Sequence, residues 1–543
     1  MDDDGAFDVV VLGTGLTESI AAAALAKAGF KLAHIDRNPY YGAAEASLSF
    51  DELIQWQDTP NPGFSSFSRS GDTIEQARAY SISLSPSLIP STGPLIDALV
   101  ASGVAKYGGF RLIERVCVYD VSGAVKPVPG SKEDIFKNKE ISLVDKRRLM
   151  RFLMFAAGEF EDKKELEGHT NTPFPDYLKT VFSLNVQMTN AIAYALAYCL
   201  SPTDPTLPAL HRLRRYLRST GRYGANPFLV GHYGSTGEIA QGFCRTAAVS
   251  GAVYILGREI EGVVPASDPK HIVRLVDFPD PLSCSLIISS ASYSSLTRAT
   301  PVVPPPSPSS PFSSSSPKYP VARCIAIIDR PLSLGDLTVP EAAAEKESAP
   351  TSDEAHAPPG APPVLDTAVI VFPPSSLSDG SSTAAATVLL TGEGTMSCPR
   401  GKWILYIALP LPGLGEVPPD PRTSLKPYLD ATLALASPTS DPGIPLKPLF
   451  SSFYIQQHPT DAPSPLRAEE PVVPALPHLT PASLPPVLAL PDAGDAAAVQ
   501  AEAVFWEAVR ILRPSALQPD ADEEVAITAL WPAMEIREEG EDD

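Results

Sequence analysis

Hydrophobic and polar positions follow a strand–turn–helix–strand pattern at the start of the chain. Phe7 to Leu12 is a short apolar run of the buried-strand type, and Lys31 to Asp36 has the pattern of a second strand. Between them, Thr17 to Ala28 is rich in alanine and helical in character. A strand, a glycine turn, a helix and a strand within about 30 residues form a βαβ unit. The pattern therefore predicts a parallel strand pair joined by a right-handed crossover.

A helical pattern occupies the next long segment. Apolar residues recur at helical spacing from Lys146 to Phe160, and helical character continues to about Arg218. Strand-like runs return after Tyr223, and near the end Asp495 can cap a helix that Pro514 stops. These patterns predict an α/β fold with mixed sheets into which an all-helical domain is inserted.

The predicted boundaries make the α/β domain discontinuous. It is expected over residues 1–117 and 225–530, with the helical domain over 118–224. The chain contains 59 prolines, more than twice the usual frequency, and several stretches are dominated by Ser, Pro, Ala or Glu. Such stretches cannot bury enough apolar area to offset the entropy lost on ordering. We predict that the disordered segments are 294–317, 341–363, 459–486 and 533–543.

The net charge and the spacing of the cysteines disfavour several classes of protein. A net charge of −21 disfavours nucleic acid as a partner, because phosphate binding needs clustered Lys and Arg. The six cysteines lack CxxC spacing, so we expect neither a metal site nor a compact disulfide framework. The N-terminus lacks a signal-peptide pattern, no run of about 18 apolar residues occurs, and the C-terminus lacks a cysteine for prenylation. These features predict a cytosolic protein without a lipid of its own.

The glycine turn after the first strand has the beginning of a dinucleotide-binding fingerprint. Gly13 permits a tight turn, Gly15 permits close approach of a pyrophosphate, and Asp36 ends the second strand where an acid would bind a ribose hydroxyl. Glu18, however, stands where the third glycine is needed. Its carboxylate lies in the first helical turn, where free N–H groups attract phosphate. We expect a vestigial turn with no cofactor, in which Glu18 either replaces the anion or points to solvent.

No catalytic constellation accompanies this turn. The eight histidines are dispersed, and the sequence contains no GxSxG elbow, HExxH or P-loop. We therefore expect no catalytic residues.

Two longer segments resemble one known family. GTGLTES, followed by HIDRNPYYG from His34 to Gly42, is similar to the opening of the Rab GDP-dissociation inhibitor and Rab escort protein family. Asn226 to Leu256 is similar to the second signature of that family. The resemblance continues more thinly to the C-terminal helix and covers most of the chain outside the Ser/Pro-rich inserts. It implies a fold similar to flavin monooxygenases, with a FAD/NAD(P)-binding-like domain and a helical domain, and binding of GDP-bound Rab GTPases.

Several motifs resemble the escort proteins more than the inhibitors. They are FCR at Phe243 to Arg245, the KRRLMRFL helix, TMSC before a strand, and the AVQAEAVFWEAVRIL helix. The inhibitors are also shorter and lack long inserts. An escort protein presents new Rab to the geranylgeranyltransferase heterodimer and delivers the prenylated product to a membrane, which implies transient membrane association. A recycling GDP-dissociation inhibitor is the alternative, and an FAD-dependent oxidoreductase is a further one.

The resemblance implies a set of Rab-binding residues. The family's platform corresponds to Tyr41, Glu238 and Arg245, with Gln241, Gly242 and Phe243 beside them, and to Ile255 where the inhibitors carry Met. Arg and Glu can make charge-assisted hydrogen bonds to a partner, and Tyr41 can act as an aromatic anchor. The alternatives are an internal salt bridge between Glu238 and Arg245, and core packing of the adjacent tyrosines, of which Tyr40 is the one expected to be buried.

The helical domain is implied to contact the transferase and the geranylgeranyl lipid. Alignment at GRYG makes Tyr216 and Arg222 the transferase contacts, although the family pattern has Phe where this chain has Tyr216. A set of apolar residues could line a prenyl pocket or could belong to the core of a helical bundle, which any such bundle needs. These residues are Met150, Phe152, Met154, Phe155, Met188, Ile192 and Leu196.

Overall fold

A computed structural model of the chain describes eleven stretches of it. They are residues 6–128, 141–265, 270–296, 302–305, 319–334, 364–413, 418–437, 446–457, 477–481, 489–518 and 526–532.

The strands in these stretches form two large sheets and two small ones. They are β1 (Ala6–Leu12), β2 (Leu32–Asp36), β3 (Ser47–Leu48), β4 (Phe64–Ser70), β5 (Ile82–Ser83), β6 (Ile89–Pro90), β7 (Phe110–Leu112), β8 (Arg115–Tyr119), β9 (Val125–Pro127), β10 (Phe228–Gly231), β11 (Val253–Leu256), β12 (Ile260–Pro265), β13 (His271–Leu275), β14 (Leu282–Ser289), β15 (Val321–Ile328), β16 (Thr367–Phe372), β17 (Ala386–Thr391), β18 (Trp403–Pro410), β19 (Phe450–Gln456) and β20 (His478–Leu479).

The described stretches also contain ten α-helices. They are α1 (Leu16–Lys27), α2 (Phe50–Gln57), α3 (Pro94–Ser102), α4 (Leu143–Ala157), α5 (Phe174–Phe182), α6 (Val186–Asn190), α7 (Thr206–Ser219), α8 (Thr236–Val249), α9 (Pro421–Leu433) and α10 (Ala493–Leu512), and a π-helix spans Ala191–Leu196 directly after α6.

The first large sheet contains the predicted βαβ unit. Its order is β11-β2-β1-β14-β13-β12, with β20 also paired to β14. The strands β11, β2, β1 and β14 are parallel, whereas β12 and β13 pair antiparallel, so the sheet is mixed as predicted. The crossover helix α1 is buried along nearly its whole length because its run of alanines lets α8 and α10 pack closely against it.

The second large sheet is assembled from distant parts of the chain. Its order is β4-β19-β15-β18-β17-β16-β8-β9. The strands β15, β16, β17 and β18 read as nearly continuous runs of buried apolar residues, because layers cover both faces of the sheet. The two large sheets thus give the FAD/NAD(P)-binding-like α/β architecture that the fold prediction named.

The helical segment is shorter than predicted at its start. The expected boundary at residues 117 and 118 falls inside β8, which pairs in parallel with β16, and β9 extends the same sheet to Pro127. Among the described residues, the first helix after that sheet is α4, whose cap is Ser142, and the last before β10 is α7. Only strand pairing with a segment some 250 residues later reveals that Arg115 to Pro127 belongs to the sheet, so local patterns missed it.

The predicted disordered segments lie mostly outside the described residues. This holds for 341–363 and 533–543 completely, and for most of 294–317 and 459–486. Within the last of these, however, His478–Leu479 is the buried strand β20, which runs parallel to β14 and is bridged by Val302. The prediction was wrong for this short piece, because pairing to a sheet edge can order two residues that have little apolar content of their own.

Two general properties of the described residues bear on function. No α-helix among them is long and apolar enough to cross a membrane. All six cysteines are buried and free, and no group of His, Cys, Asp or Glu in the described stretches is arranged to hold a metal ion.

A buried ionic network joins the helical segment to the α/β part. Arg215 and Tyr216 on α7 both donate to Asp492, and the Tyr216 hydroxyl lies 2.6 Å from the carboxylate. Arg215 also lies 3.5 Å from Asp495, which accepts the backbone N–H of Leu95 at 3.0 Å. Because Asp495 is fully buried, it depends on Arg215 to balance its charge.

Arg215→Ala is expected to lower the free energy of unfolding by about 3–5 kcal/mol, because it leaves the buried Asp495 without its ion-pair partner and removes one of the two arginines beside Asp492. Arg218→Ala on the same helix is the matched control, since Arg218 pairs with Glu159 at the surface and should cost at most about 1 kcal/mol. Urea unfolding followed by circular dichroism measures both. Equal losses of unfolding free energy in the two variants would show that the buried network does not stabilise the contact between the helical segment and the α/β part.

Candidate functional site

Asp36 closes the turn between β1 and α1. Its carboxylate accepts the backbone N–H and the hydroxyl of Thr14, both at 2.7 Å. It also accepts the backbone and side-chain N–H groups of Asn38, at 2.9 and 3.0 Å, and the Tyr293 hydroxyl at 3.0 Å. Five donors saturate the two oxygens of a carboxylate. Asp36 therefore has no free position for a ribose hydroxyl, although the sequence places it where such an acid belongs.

Glu18 lies inside the turn and does not point to solvent. It is 6% exposed, and desolvation, with a smaller contribution from the neighbouring Glu45, raises its pKa to about 8. Desolvation likewise raises the pKa of Glu45 to about 7, although the N–H of Leu16 at the start of α1 favours its charged form. The solvent-exposed alternative for Glu18 is thus wrong.

The carboxyl groups of Glu18 and Glu45 crowd the place of a pyrophosphate. A side chain at Gly15 would collide with Glu18 and would come within 3.2 Å of the Glu45 carboxyl group. The N–H groups that open α1 would otherwise attract phosphate. A dinucleotide does not fit these residues, because its phosphates would meet two acids and its ribose would meet a saturated Asp36.

Helix α8 presents a polar stripe to solvent. Gln241 and Arg245 are exposed and Glu238 is half-buried, whereas Phe243 faces the core and Gly242 is partly covered. Their spacing of three and four residues places the exposed side chains on one face of the helix. Within the described residues no ion pair joins Glu238 to Arg245, so the internal salt bridge is not present. Desolvation raises the pKa of Glu238.

The loop that follows β2 brings Tyr41 to the start of α8. Gly42 adopts φ +95°, and a Cβ there would lie 2.9 Å from the Cα of Ala46 and 3.3 Å from the Cα of Gly237, so glycine is needed at this position. The Tyr41 ring meets the Tyr254 ring edge-on at 5.9 Å. Tyr40 and Tyr41 are both partly buried, but Tyr40 packs against the hydrophobic core and is the more buried of the two, as expected. Tyr41 thus lies beside the first turn of the helix that carries Glu238.

Ile255 faces away from this group. Tyr254 packs with the residues under α8, whereas Ile255 packs with Ile35 and Val10 on the opposite face of the sheet. Successive strand residues point to opposite faces, which separates these neighbours. The structure therefore brings together Tyr41 and the α8 residues but not Ile255.

Sequence reasoning missed Tyr107. It is 65% exposed, and the Arg245 guanidinium lies 4.6 Å from the centre of its ring. The segment Tyr107-Gly-Gly, an aromatic residue directly before two glycines, was an available signal for an exposed aromatic loop. Val249, at the end of α8, is 83% exposed and extends the same surface with an apolar contact. We call Tyr41, Tyr107, Glu238, Gln241, Arg245 and Val249 the α8 surface.

Tyr216 is not a surface residue. It is 2% exposed and its hydroxyl is committed to Asp492, so the expected transferase contact is wrong for this side chain. The sequence could not reveal this, because Asp492 lies 276 residues later. Arg222 is exposed, donates to the carbonyl of Ser91 at 2.9 Å and stacks over Tyr223, which is also exposed.

The residues expected to line a prenyl pocket differ in how deeply they are buried. Phe152, Met188 and Ile192 are buried in the core of the helical segment, as the core alternative predicts. Met150, Phe155 and Leu196 pack against that core from its edge. Met154 is exposed, as are Leu143 and Val144 at the start of α4.

Comparison with known proteins identifies relatives of this chain. The model of the GDP dissociation inhibitor family matches residues 1–336. A Saccharomyces cerevisiae protein named Rab proteins geranylgeranyltransferase component A is 28% identical over 410 residues, which is 74% of this chain and 61% of that protein. The Drosophila melanogaster protein of the same name is 31% identical over 55% of this chain and 62% of its own length. The alignments thus span about three fifths of these two relatives.

Solved structures support the fold. Rab GDI from Plasmodium falciparum superposes with a TM-score of 0.60 and 20% identity, over 93% of this chain and 98% of that one. An oxidoreductase from Methanosarcina mazei superposes with a TM-score of 0.51 and 14% identity, over 92% and 100% of the two chains. Both likenesses concern the fold alone.

Glu18→Gln is expected to stabilise the protein increasingly as the pH rises from about 4.5 to about 8. In this window the folded wild type holds a proton on Glu18 that the unfolded chain has lost, so the free energy of unfolding of the wild type falls with rising pH. A pKa raised from 4.5 to about 8 corresponds to at most about 5 kcal/mol.

Urea unfolding at pH 5 and pH 8 tests this dependence. Glu502→Gln, an exposed change on α10, is the control and should show no pH-dependent difference from wild type. If the Glu18→Gln variant is no more stable than wild type at pH 8, the carboxyl group is not held in its neutral form.

Proposed function

Because the chain belongs to the GDP dissociation inhibitor family, we propose that it is an escort for Rab GTPases. In this role it binds GDP-bound Rab and presents it to the geranylgeranyltransferase heterodimer for prenylation of C-terminal cysteines. It then carries the prenylated Rab to a membrane. The chain itself supplies binding surfaces and no catalytic residue. The turn blocked by Glu18 and Glu45 supports this last point, since the fold's usual cofactor would have no place there.

The α8 surface carries the proposal. It combines an exposed arginine, a carboxylate that is ion-paired with no side chain in the described stretches, and two aromatic rings. Arg and Tyr are the residues most often found at the energetic centre of protein interfaces. The Arg245 guanidinium is already held by Tyr107, so binding costs less side-chain entropy. This surface suits a folded protein partner better than a small molecule, because its side chains are exposed and line none of the described cavities.

An escort role is favoured over a recycling inhibitor by the relatives. The curated proteins from yeast and fly carry the name of a geranylgeranyltransferase component, and the yeast alignment extends over 74% of this chain. The contact with the transferase would then involve the helical segment. Because Tyr216 is buried, the exposed residues Arg222 and Tyr223 are better candidates for the contact with the transferase.

Lipid handling is proposed for the outer face of α4. Leu143, Val144 and Met154 expose apolar surface there, next to Phe155 and Met150 at the edge of the helical core. Burying a geranylgeranyl chain is worth about 0.8 kcal/mol for each CH₂ group. Even a shallow apolar groove at this edge would therefore help to hold the lipid, and transient contact with a membrane would deliver it.

Arg245→Ala and Tyr41→Ala are each expected to weaken binding of GDP-loaded Rab at least about tenfold, which is about 1.4 kcal/mol. Titration calorimetry with purified Rab measures the effect. Arg510→Ala is the matched control, because Arg510 is an exposed arginine on α10, away from the α8 surface. Unchanged affinity in both α8-surface variants would show that Rab binds elsewhere.

Reconstitution with the transferase heterodimer distinguishes an escort function from that of a recycling inhibitor. We expect geranylgeranyl transfer to Rab to require this chain, because the escort must hold Rab in reach of the heterodimer. Incorporation of radiolabelled geranylgeranyl into Rab measures it, and reactions without this chain are the blank. If the chain extracts prenylated Rab from vesicles but supports no transfer, the recycling function replaces the escort function.

A further inference from the structure

A cavity of about 120 Å³ lies where the helical segment meets the second large sheet. One wall is a face of that sheet, which contributes Arg323, Thr387 and Ala408. The other walls come from residues in and after the π-helix, from the start of α10 and from residues 85–87. None of the residues of the α8 surface lines it, so the cavity is separate from the proposed Rab contact.

The size and the lining of the cavity limit the kind of ligand. Most of its lining residues are apolar, and several of them have short side chains: Ala385, Ala408, Ala489, Ala493 and Ala497. An apolar cavity of about 150 Å³ is large enough to bind benzene. A volume of about 120 Å³ therefore suits a small hydrocarbon group and not a nucleotide or a long lipid chain.

Tyr198 is the feature that indicates a ligand. It lines the cavity and is 2% exposed, and its hydroxyl forms no hydrogen bond within the part of the chain that the structure describes. A buried hydroxyl without a partner is unfavourable. Because a hydroxyl is a hydrogen-bond donor, a ligand in the cavity that supplies an acceptor would remove this cost.

The backbone at Tyr198 has an unusual conformation. Its φ is +49°, which is rare for a bulky residue, and the π-helix Ala191–Leu196 ends just before it. The Tyr198 ring meets the rings of Tyr216 and Phe228 edge-on, at 6.1 and 5.4 Å. Strained backbone and π-helical turns are frequent at functional sites. The fold thus holds Tyr198 at the wall of the cavity in spite of the strain.

The register of the sheet places a positive charge on another wall. Arg323 on β15 pairs with Ala408 on β18, which pairs with Thr387 on β17, so three adjacent strands contribute one row of lining residues. The short side chain of Ala408 leaves space within this row. The Arg323 Nε donates to Gln456. Because a guanidinium has five N–H donors, it can bind a ligand in addition to its protein partners.

The charged groups of the cavity favour an anion. Arg323 and Glu45 are the charged residues in the described lining. The Glu45 carboxyl group accepts the N–H of Leu16, and desolvation raises its pKa to about 7. Glu45 is therefore partly neutral near pH 7, whereas a guanidinium remains charged. The sum of the two charges is positive in this range, which favours an anionic group over a cationic one.

We propose that this cavity binds a short-chain carboxylate, which accepts hydrogen bonds from Tyr198 and Arg323 and packs its hydrocarbon part among the alanines. The site is distinct from Rab binding and does not depend on it. A ligand there contacts both the helical segment and the sheet. Its binding therefore stabilises the folded protein and raises the temperature of unfolding.

Titration calorimetry with isovalerate at pH 6 tests the proposal. We expect a dissociation constant below about 1 mM. Tyr198→Phe should weaken binding at least about tenfold, because a hydrogen bond to a charged group is lost. Tyr177→Phe is the matched control and should bind as the wild type does. Tyr177 is also buried in the helical segment and its hydroxyl also has no partner among the described residues, but it does not line the cavity.

Two further measurements make the test specific. Ala408→Leu should abolish binding, because the larger side chain fills the cavity. Isoamylamine, which has a similar hydrocarbon part and an ammonium group, should not bind to the wild type. Thermal unfolding with and without about 10 mM isovalerate shows that the variants are folded, and the ligand should raise the unfolding temperature of the wild type and of Tyr177→Phe but not of Ala408→Leu.

Three outcomes would overturn the proposal. One is the absence of binding heat at about 10 mM isovalerate. Another is equal affinity in the Tyr198→Phe, Tyr177→Phe and Ala408→Leu proteins. The third is equal binding of isoamylamine, which would show that Arg323 does not select the ligand. Rab affinity measured in the Tyr198→Phe protein should stay at the wild-type value, which keeps this test independent of the escort function.

Discussion

The five hydrogen bonds to Asp36 are the constraint on which the glycine turn and the loop that follows β2 depend. They fix the turn after β1, the end of β2, the start of the following loop and Tyr293 around one fully buried carboxylate. A carboxylate buried without donors would be strongly unfavourable, so these groups must hold together. In a nucleotide-binding relative of this fold an acid at this point would bind ribose, but here it organises protein alone.

The loop after Asp36 has two sides. Asn38, Pro39 and Tyr40 line a cleft in front of the glycine turn, whereas Tyr41 turns towards Tyr254 and α8. Gly42 then lets the loop rest on the first turn of α8. The same few residues therefore lie beside the glycine turn on one side and contribute to the α8 surface on the other. The way this loop is held determines the shape of both.

Local patterns in the sequence were enough for the βαβ unit, since strand and helix periodicity depend on near neighbours. The residues Glu238, Gln241 and Arg245 were named through the family resemblance and not through a local pattern. Local patterns failed where contacts between residues far apart in the sequence determine burial or strand pairing. Tyr216 has the spacing of a bundle helix, but its burial depends on Asp492, and β8 becomes part of a sheet only through β16. Glu45 was missed because nothing in its neighbourhood predicts that it will meet Glu18. Contacts between remote segments are set by the tertiary fold, which overrides local preference.

Two glutamates at the turn do more than fill space. A glutamine at either position would occupy the same volume, would hydrogen bond to the same N–H groups, and would avoid the cost of a desolvated acid. The carboxyl groups add an effect that an amide lacks, because either of them, when it is ionised, repels phosphate. The crowding of the turn by both side chains acts at any pH. Because Asp36 is saturated independently of these glutamates, neutralising them would still leave the turn unable to bind a ribose.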